Sequence, residues 1–343
     1  MQKIKVGVYG ATGYTGLELV RLLEQHPAVE IGFLTSESQA GRSLQSSWAQ
    51  APDVPLISAS QAAPGMVDQV FLCLPHTQSA SQAAEAIRAG VKVIDLSADL
   101  RLDDPAIYQA WYQVEHPEPD LLPVPYGLPE IDRSQLAGAQ CIANPGCYAT
   151  AVLLGLTPLV QKGWITNTFP VIIDAKSGVT GAGRSPKQNL MFGEVYANFS
   201  PYNIGRNHRH LAEIEQELAR RGFPAGQIIF SPHLLPTDRG ILAAIYVQGQ
   251  DNSNARAIFE QQYHNEPFIR MLPAGELATL SHVVRTPLAA VSLTSVNEKF
   301  LIVMVAIDNL LKGAASQAVQ NFNLQWGLPE TTGLLTLGET QYG

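Results

Sequence analysis

The sequence predicts an α/β protein in two parts: an N-terminal parallel sheet flanked by helices, then an α+β domain with a mostly antiparallel or mixed sheet. Three observations carry this. The chain has 343 residues, enough for two domains at about 150 residues each. In the first part short β-branched runs alternate with helical periodicity, the signature of strand–crossover–strand units. After about residue 150 strand-like runs follow one another with few helices between them.

Taken in order, residues 3–9 alternate and read as a strand. A Gly-rich turn follows, then Leu17, Val20, Leu22 and Leu23 at helical spacing up to Pro27. Val29 to Leu34 and Met66 to Leu74 read as strands, Ser79 to Ala89 as a helix closed by Gly90, and Val91 to Leu96 as a further strand. In the second part a helix from Ala149 to about Gln161 precedes strands at Val171–Ala175, Gln227–Ser231, Ile241–Val247, His282–Arg285 and Phe300–Ile307. Residues 177–207 are rich in Gly, Pro, Asn and Ser, and a connection that long is usually functional or mobile. A last helix is expected from Asp308, as N-cap, to Phe322, with Leu310, Leu311, Ala314, Ala315, Ala318, Val319 and Phe322 in one apolar stripe. It is too apolar to hang in solvent. No internal repeat or low-complexity segment interrupts this order.

Composition narrows the function. Hydrophobic residues at 46% and charged ones at 15% supply packed cores and argue against disorder. No apolar run approaches the ~20 residues of a membrane span, and Met-Gln-Lys-Ile-Lys-Val shows no signal-peptide character; a cytoplasmic protein is the simplest expectation. A net charge of −8 argues against a nucleic-acid partner, and the one basic cluster, Arg206-Asn207-His208-Arg209-His210, is too small for a duplex footprint. Cys73, Cys141 and Cys147 lack C-x-x-C spacing, so neither a disulfide framework nor a structural metal site is expected.

Gly10, Thr12, Gly13, Tyr14, Thr15 and Gly16 lie in a turn between strand and helix. Glycines there let the backbone approach a pyrophosphate, which rests on the helix N-terminus. A tight turn without ligand is the bland alternative, but the strand–turn–helix setting favours a dinucleotide. An NAD site would end the second strand with an acidic residue; here Thr35-Ser36 and Arg42 suit a 2′-phosphate, and Glu37 leaves the other cofactor open. No G-K-[ST] follows, which excludes a P-loop.

Asn144-Pro145-Gly146-Cys147-Tyr148-Ala149-Thr150 places a thiol at a fixed turn before a helix. Helix N-termini lower a thiol pKa, and their unpaired N–H groups can hold an oxyanion. The bland alternative is a small core residue, the reading given to Cys73 and Cys141. His208 and His210, at the start of a helix carrying Leu211, Ile214 and Leu218, are candidate acid/base partners. Both as surface residues, both as metal ligands, and His233 in Ser231-Pro232-His233 as the base are the competing readings; metal is disfavoured because no further ligand stands at suitable spacing.

These motifs, with Ser177-Gly178-Val179-Thr180-Gly181-Ala182-Gly183-Arg184, Leu234-Leu235-Pro236-Thr237-Asp238-Arg239-Gly240 and Asp308-Asn309-Leu310-Leu311-Lys312-Gly313-Ala314-Ala315, resemble the N-acetyl-γ-glutamyl-phosphate reductases over essentially the whole chain. These are relatives of aspartate-semialdehyde and glyceraldehyde-phosphate dehydrogenases, from which the N-P-G-C-Y-A-T stretch separates them. The resemblance implies a Rossmann-type NADP-binding domain from residues 1–147 and 309–343, and an α+β catalytic and oligomerisation domain from residues 148–308. It implies Cys147 as nucleophile, His210 ahead of His208 as acid/base, and Ser177, Gly178 and Asn309 beside the cofactor. It implies a small acyl-phosphate substrate, N-acetyl-L-glutamyl 5-phosphate, reduced to the 5-semialdehyde, and a homodimer or homotetramer. Asn144, Arg184, Arg206 and Lys187 are the candidates for substrate, the cations because they suit carboxylate and phosphate. The alternatives are the same chemistry on an aspartyl or aminoadipyl phosphate, a thiol acyltransferase or hydrolase, and a non-catalytic NADP-binding module.

Overall fold

The computed structural model describes residues 3–335, so the outermost residues of the expected N-terminal domain, 1–2 and 336–343, lie outside the described residues. Its contacts divide the chain into two compact units. One holds the described residues up to Gly146 together with those from Ala314 onward; the other is Cys147–Gly313.

The first unit runs β1 (Ile4–Tyr9), α1 (Tyr14–Gln25), β2 (Val29–Thr35), β3 (Leu56–Ile57), β4 (Gln69–Leu72), α2 (Ser79–Arg88), β5 (Lys92–Asp95), α3 (Pro105–Tyr112) and β6 (Cys141–Ala143). All pairings are parallel, in the order β3-β2-β1-β4-β5-β6. Strand order reverses at β1, the switch point outside which open α/β sheets bind ligands. The strands are apolar on both faces: Val6, Val8, Val70, Phe71, Leu72, Val93 and Ile94 are all fully buried, as a sheet covered on both sides requires.

The second unit runs α4 (Cys147–Gln161), β7 (Val171–Gly178), α5 (Phe192–Val195), β8 (Ser200–Pro201), α6 (His210–Ala219), β9 (Ile228–Leu235), β10 (Ile241–Gln248), α7 (Ala255–Tyr263), β11 (Ile269–Met271), β12 (Ala289–Ser295) and β13 (Phe300–Ile307). Its mixed sheet has the order β11-β12-β13-β10-β7-β9-β8, with parallel pairs only at β7–β9 and β11–β12. One face carries Ile173, Ile245, Val303 and Val305 against α4; a Cβ at Gly155 would lie 2.5 Å from Ile245. The other face leaves Ile229 and Tyr246 exposed.

The chain then enters α8 (Ala315–Gln325) in the first unit. No helix among the described residues is long and apolar enough to cross a membrane.

Two elements differ from expectation. His282–Arg285 is not a strand: a 3₁₀ turn spans Leu280–His282, held by reciprocal Thr279–His282 bonds, and Arg285 has φ +64°, which no strand tolerates. The strand there is β12. The last helix starts at Ala315 rather than after Asp308. Asp308 does accept the N–H groups of Leu310 and Leu311, as an N-cap would, but Ala314 at φ −159°, ψ −85° interrupts the winding. The segment 177–207 contains a 3₁₀ turn at Val179–Ala182, α5 and β8.

Candidate active site

In the first unit, β1 delivers the chain into the glycine turn. Gly10 has φ +78°, and a Cβ there would meet the Cys73 carbonyl oxygen at 2.4 Å. A Cβ at Gly16 would meet the Gly10 carbonyl at the same distance. Both glycines are demanded by the protein's own backbone. Gly13 is different: its φ is −70°, and a Cβ would meet nothing nearer than 3.6 Å. Gly13 is the N-cap of α1, with no side-chain cap and no acidic residue in the first turn. An open, uncapped helix N-terminus fits a pyrophosphate.

Around this turn, Gly10 N–H donates to Thr35 Oγ1 at 3.2 Å, and the hydroxyls of Thr12 and Ser36 lie 3.0 Å apart. Tyr14 and Thr15 form the half-buried first turn of α1. Trp48, which carries no recognisable sequence signal, donates its indole N–H to the Thr12 carbonyl at 3.2 Å and packs on Tyr14. The Glu37 carboxylate accepts the Ala59 N–H at 2.7 Å, while Arg42 is exposed.

The turn before Cys147 is also built in the first unit. All four polar groups of Asn144 are engaged. Its N–H donates to Asp95 O (2.8 Å) and its carbonyl accepts Arg101 Nε (2.9 Å). Its Oδ1 accepts Asn321 Nδ2 (2.9 Å), and its Nδ2 donates to Ala314 O (3.2 Å). Both ends of the amide are thus held by the first unit, and the turn is fixed through them.

In the second unit, Cys147 is the first residue of α4, half-buried and in no disulfide. A Cβ on Gly313 would sit 2.8 Å from Cys147 Cβ, so glycine is required there. Tyr148, beside Cys147, is buried and gathers both histidines: ring centroids lie 5.4 Å from His208 and 6.0 Å from His210, and the two imidazoles are 4.9 Å apart. Phe230 closes the cluster against Tyr148 and His208. Tyr202, absent from the sequence reading, donates its hydroxyl to Tyr148 Oη at 2.9 Å. Burial pushes both phenols up, Tyr202 to about 12, and the charge of Cys147 adds to the rise in each. The thiol therefore stands beside two neutral phenols.

The histidines differ. His208 Nδ1 accepts the His210 N–H at 3.2 Å. Burial, then the neighbouring charges of His210 and Arg209, push its pKa down to about 2. His208 is therefore held in its neutral form. His210 opens α6. His233 lies on β9 three residues from Phe230, hence on the opposite sheet face; it pairs with Asp174 at 3.4 Å and stacks on Phe199.

The loop after β7 is fixed at its base. Gly178 presses on the Arg239 backbone, where a Cβ would lie 2.6 Å away. Ser177 Oγ bonds the Gly178 carbonyl. Asn309 accepts the Gly240 N–H at 2.7 Å and donates to Thr180 Oγ1 at 3.0 Å. Asp308, fully buried, pairs with Arg239 at 3.0 Å; the sequence reading assigned this pair no role. Beyond Thr180 the loop is exposed, Arg184 and Lys187 included. Arg206 is committed elsewhere: its two terminal nitrogens each bond Glu215 at 2.8 Å, and one also bonds Ile228 O.

A parallel sheet with a glycine turn at its switch point, and a second unit headed by a cysteine whose neighbour Tyr148 packs on two histidines, fit the class of semialdehyde dehydrogenases. The family model described as "Semialdehyde dehydrogenase, NAD binding domain" matches residues 5–139, and "Semialdehyde dehydrogenase, dimerisation domain" matches residues 147–309. Among solved structures, aspartate semialdehyde dehydrogenase II of Vibrio cholerae, complexed with ASA, is 20% identical with a TM-score of 0.72, over 94% of this chain and 98% of that one. The aspartate semialdehyde dehydrogenase of Candida albicans, with NADP, is 16% identical with a TM-score of 0.68, over 94% and 98%. These likenesses show the fold. Among curated relatives, the N-acetyl-γ-glutamyl-phosphate reductase of Desulforudis audaxviator is 46% identical over 98% of this chain and 99% of its own length. That of Symbiobacterium thermophilum is 43% identical over 98% of each. The chain belongs to the N-acetyl-γ-glutamyl-phosphate reductase family.

Proposed function

We propose that this oxidoreductase reduces N-acetyl-L-glutamyl 5-phosphate to N-acetyl-L-glutamate 5-semialdehyde and phosphate, a step of arginine biosynthesis in the cytoplasm, with NADPH as reductant. The observation that carries the reading is Cys147 heading α4 while Tyr148 packs against the ring of His210. The names of its relatives supply the substrate and favour it over an aspartyl or aminoadipyl phosphate.

Cys147 gives its proton to His210, and the thiolate attacks the acyl carbonyl. First-turn N–H groups of α4, which no helical carbonyl can satisfy, stabilise the oxyanion. Phosphate leaves and a thioester remains, so one difficult reduction becomes two easier steps. The nicotinamide, when bound, supplies hydride to that thioester. His210 returns its proton to the resulting oxyanion, and collapse yields aldehyde and thiol. Gly10, Thr12, Gly13, Tyr14, Thr15 and Gly16 hold the dinucleotide, with Ser177, Gly178 and Asn309 shaping the loop beside it. Ser36, Thr12 and Arg42 favour a 2′-phosphate, and the Glu37–Ala59 bond keeps the nearest carboxylate occupied. Arg184 and Lys187 meet the substrate's anionic groups. Functionally, residues 1–147 with 309–343 bind NADP, and 148–308 carry catalysis and oligomerisation. The exposed apolar side chains of Ile229 and Tyr246 suit a homodimer, or a tetramer built from it.

Replacing Cys147 by Ser should abolish NADPH oxidation with the acyl phosphate while NADPH still binds. Near-normal reduction by that variant would refute the mechanism.

A further inference from the structure

We infer that Asn321, on α8, is a positioning residue for the nucleophile, acting through Asn144 on the turn that aims Cys147. The observation is an oddity of α8. Ser316, Gln317, Gln320, Asn321, Asn323 and Gln325 are polar, yet none is more than 2% exposed. Most have plain structural work. Gln320 bonds Glu130 and Glu330; Asn323 bonds His26 and the carbonyls of Glu330 and Thr332; Gln325 bonds Ala139 O.

Asn321 instead turns to the nucleophile turn. Its Nδ2 donates to Gly127 O and to Asn144 Oδ1, each at 2.9 Å, and its Oδ1 accepts from Gln317 Nε2 at 3.4 Å. The result is a buried ladder, Gln317–Asn321–Asn144, ending three residues before Cys147. A leucine at 321 would fill the same space but leave Gly127 O, Asn144 Oδ1 and Gln317 Nε2 without this partner, so the amide orients all three. Transmission is short. Only Pro145, with its fixed φ, and the buried Gly146 separate Asn144 from the first turn of α4, so a rotation of Asn144 reaches that turn across two residues. Those first-turn amides and the thiol must share one geometry with the reacting carbonyl, and small misplacements there are expensive in rate.

The inference rests on Cys147 being the nucleophile, and the experiment separates the two. The rate of Cys147 alkylation by iodoacetamide is followed against pH in folded protein, by mass spectrometry, with kcat and both KM values. Cys73 and Cys141 interfere little, since burial pushes both thiols far up. Asn321→Leu should lower kcat about ten- to a hundredfold, move the alkylation profile to higher pH, and leave KM for NADPH within about twofold. Gly127→Ala should do the same more weakly, because its Cβ would lie 2.3 Å from Asn321 Nδ2. Asn323→Leu, on the same helix but bonded away from the turn, should lower the melting temperature and leave the profile alone. If Asn321→Leu does not fold, Gln317→Leu removes only the outer rung and should still shift the profile. An unmoved profile in the folded ladder variants, or an equal shift in Asn323→Leu, overturns the positioning role. Turnover surviving Cys147→Ser would instead sink the nucleophile itself.

Discussion

The glycine turn after β1 and the nucleophile turn before α4 are both short strand-to-helix turns, but they are held by opposite means. The first is held from within: Gly10 and Gly16 are fixed by contacts to carbonyls of the turn itself and of the adjacent strand end. The second is held from a distance. Asn144 leans on Asp95, Arg101, Ala314 and Asn321, the last 177 residues away in sequence. A site that must only cradle a phosphate can be built locally. The proposed function asks more of the second turn, which would aim a nucleophile at a carbon and so needs rigid support from several directions.

The sharpest test of the second site is the histidine pair. His210→Asn should lower kcat by about 10²–10⁴-fold, the range for a general acid/base. His208→Asn retains an acceptor for the His210 N–H and should cost at most about tenfold. Equal losses in steady-state assays would mean the two rings act as one unit, and would break the division between a structural and a reacting imidazole.

The glycines give the corresponding test of the first site. Gly16→Ala drives a Cβ into backbone and should destabilise by about 1–3 kcal/mol in urea unfolding. Gly13→Ala has room in the protein and should unfold within about 0.5 kcal/mol of the parent. It should nonetheless weaken NADPH binding about tenfold, because the methyl takes space meant for pyrophosphate. If Gly13→Ala binds NADPH normally, the turn is open for some other reason.

That contrast also explains what was legible in the sequence. The glycine turn, Cys147 before its helix and the H-R-H segment stand out because each is a short run of neighbouring residues. The α/β architecture was legible for the same reason: the buried runs of β1, β4 and β5 need only their own periodicity. Asp308 shows the limit. It caps the amides of Leu310 and Leu311 as a helix start would, yet the non-helical backbone of Ala314 delays the helix to Ala315. The pairing of Arg206 with Glu215 was not legible, because the two lie nine residues apart with no pattern linking them. The neutrality of His208 depends on burial under Tyr148, Tyr202 and Phe230, which no local pattern encodes.

The same buried ring makes stability depend on pH. His208 titrates near 6.5 when unfolded and is pushed down to about 2 in the fold. Below 6.5 the unfolded chain therefore binds the extra proton, so this contribution is full above 6.5 and is lost as pH falls toward 2. Urea midpoints of His208→Asn should fall less steeply than the parent's between about pH 7 and about pH 5. Parallel slopes would place the acid-sensitive group elsewhere, His26 being the next buried imidazole with a lowered pKa.

The smallest effect sought concerns the rim of the glycine turn, where the two cofactors differ only by a 2′-phosphate. The Glu37 carboxylate, which would repel that phosphate, is exposed and held by the Ala59 N–H. The exposed Arg42 and the Thr12–Ser36 hydroxyl pair remain to meet it. An exposed cation on a phosphate contributes about 1 kcal/mol, screened by salt. Arg42→Ala should therefore reduce the preference for NADPH over NADH by about five- to tenfold in kcat/KM, and the loss should shrink in high salt. Ser36→Glu should go further, because it adds repulsion where Arg42→Ala only removes attraction. A preference unchanged in both variants would move cofactor choice away from the end of β2, and with it the idea that this turn is specified by its own neighbourhood.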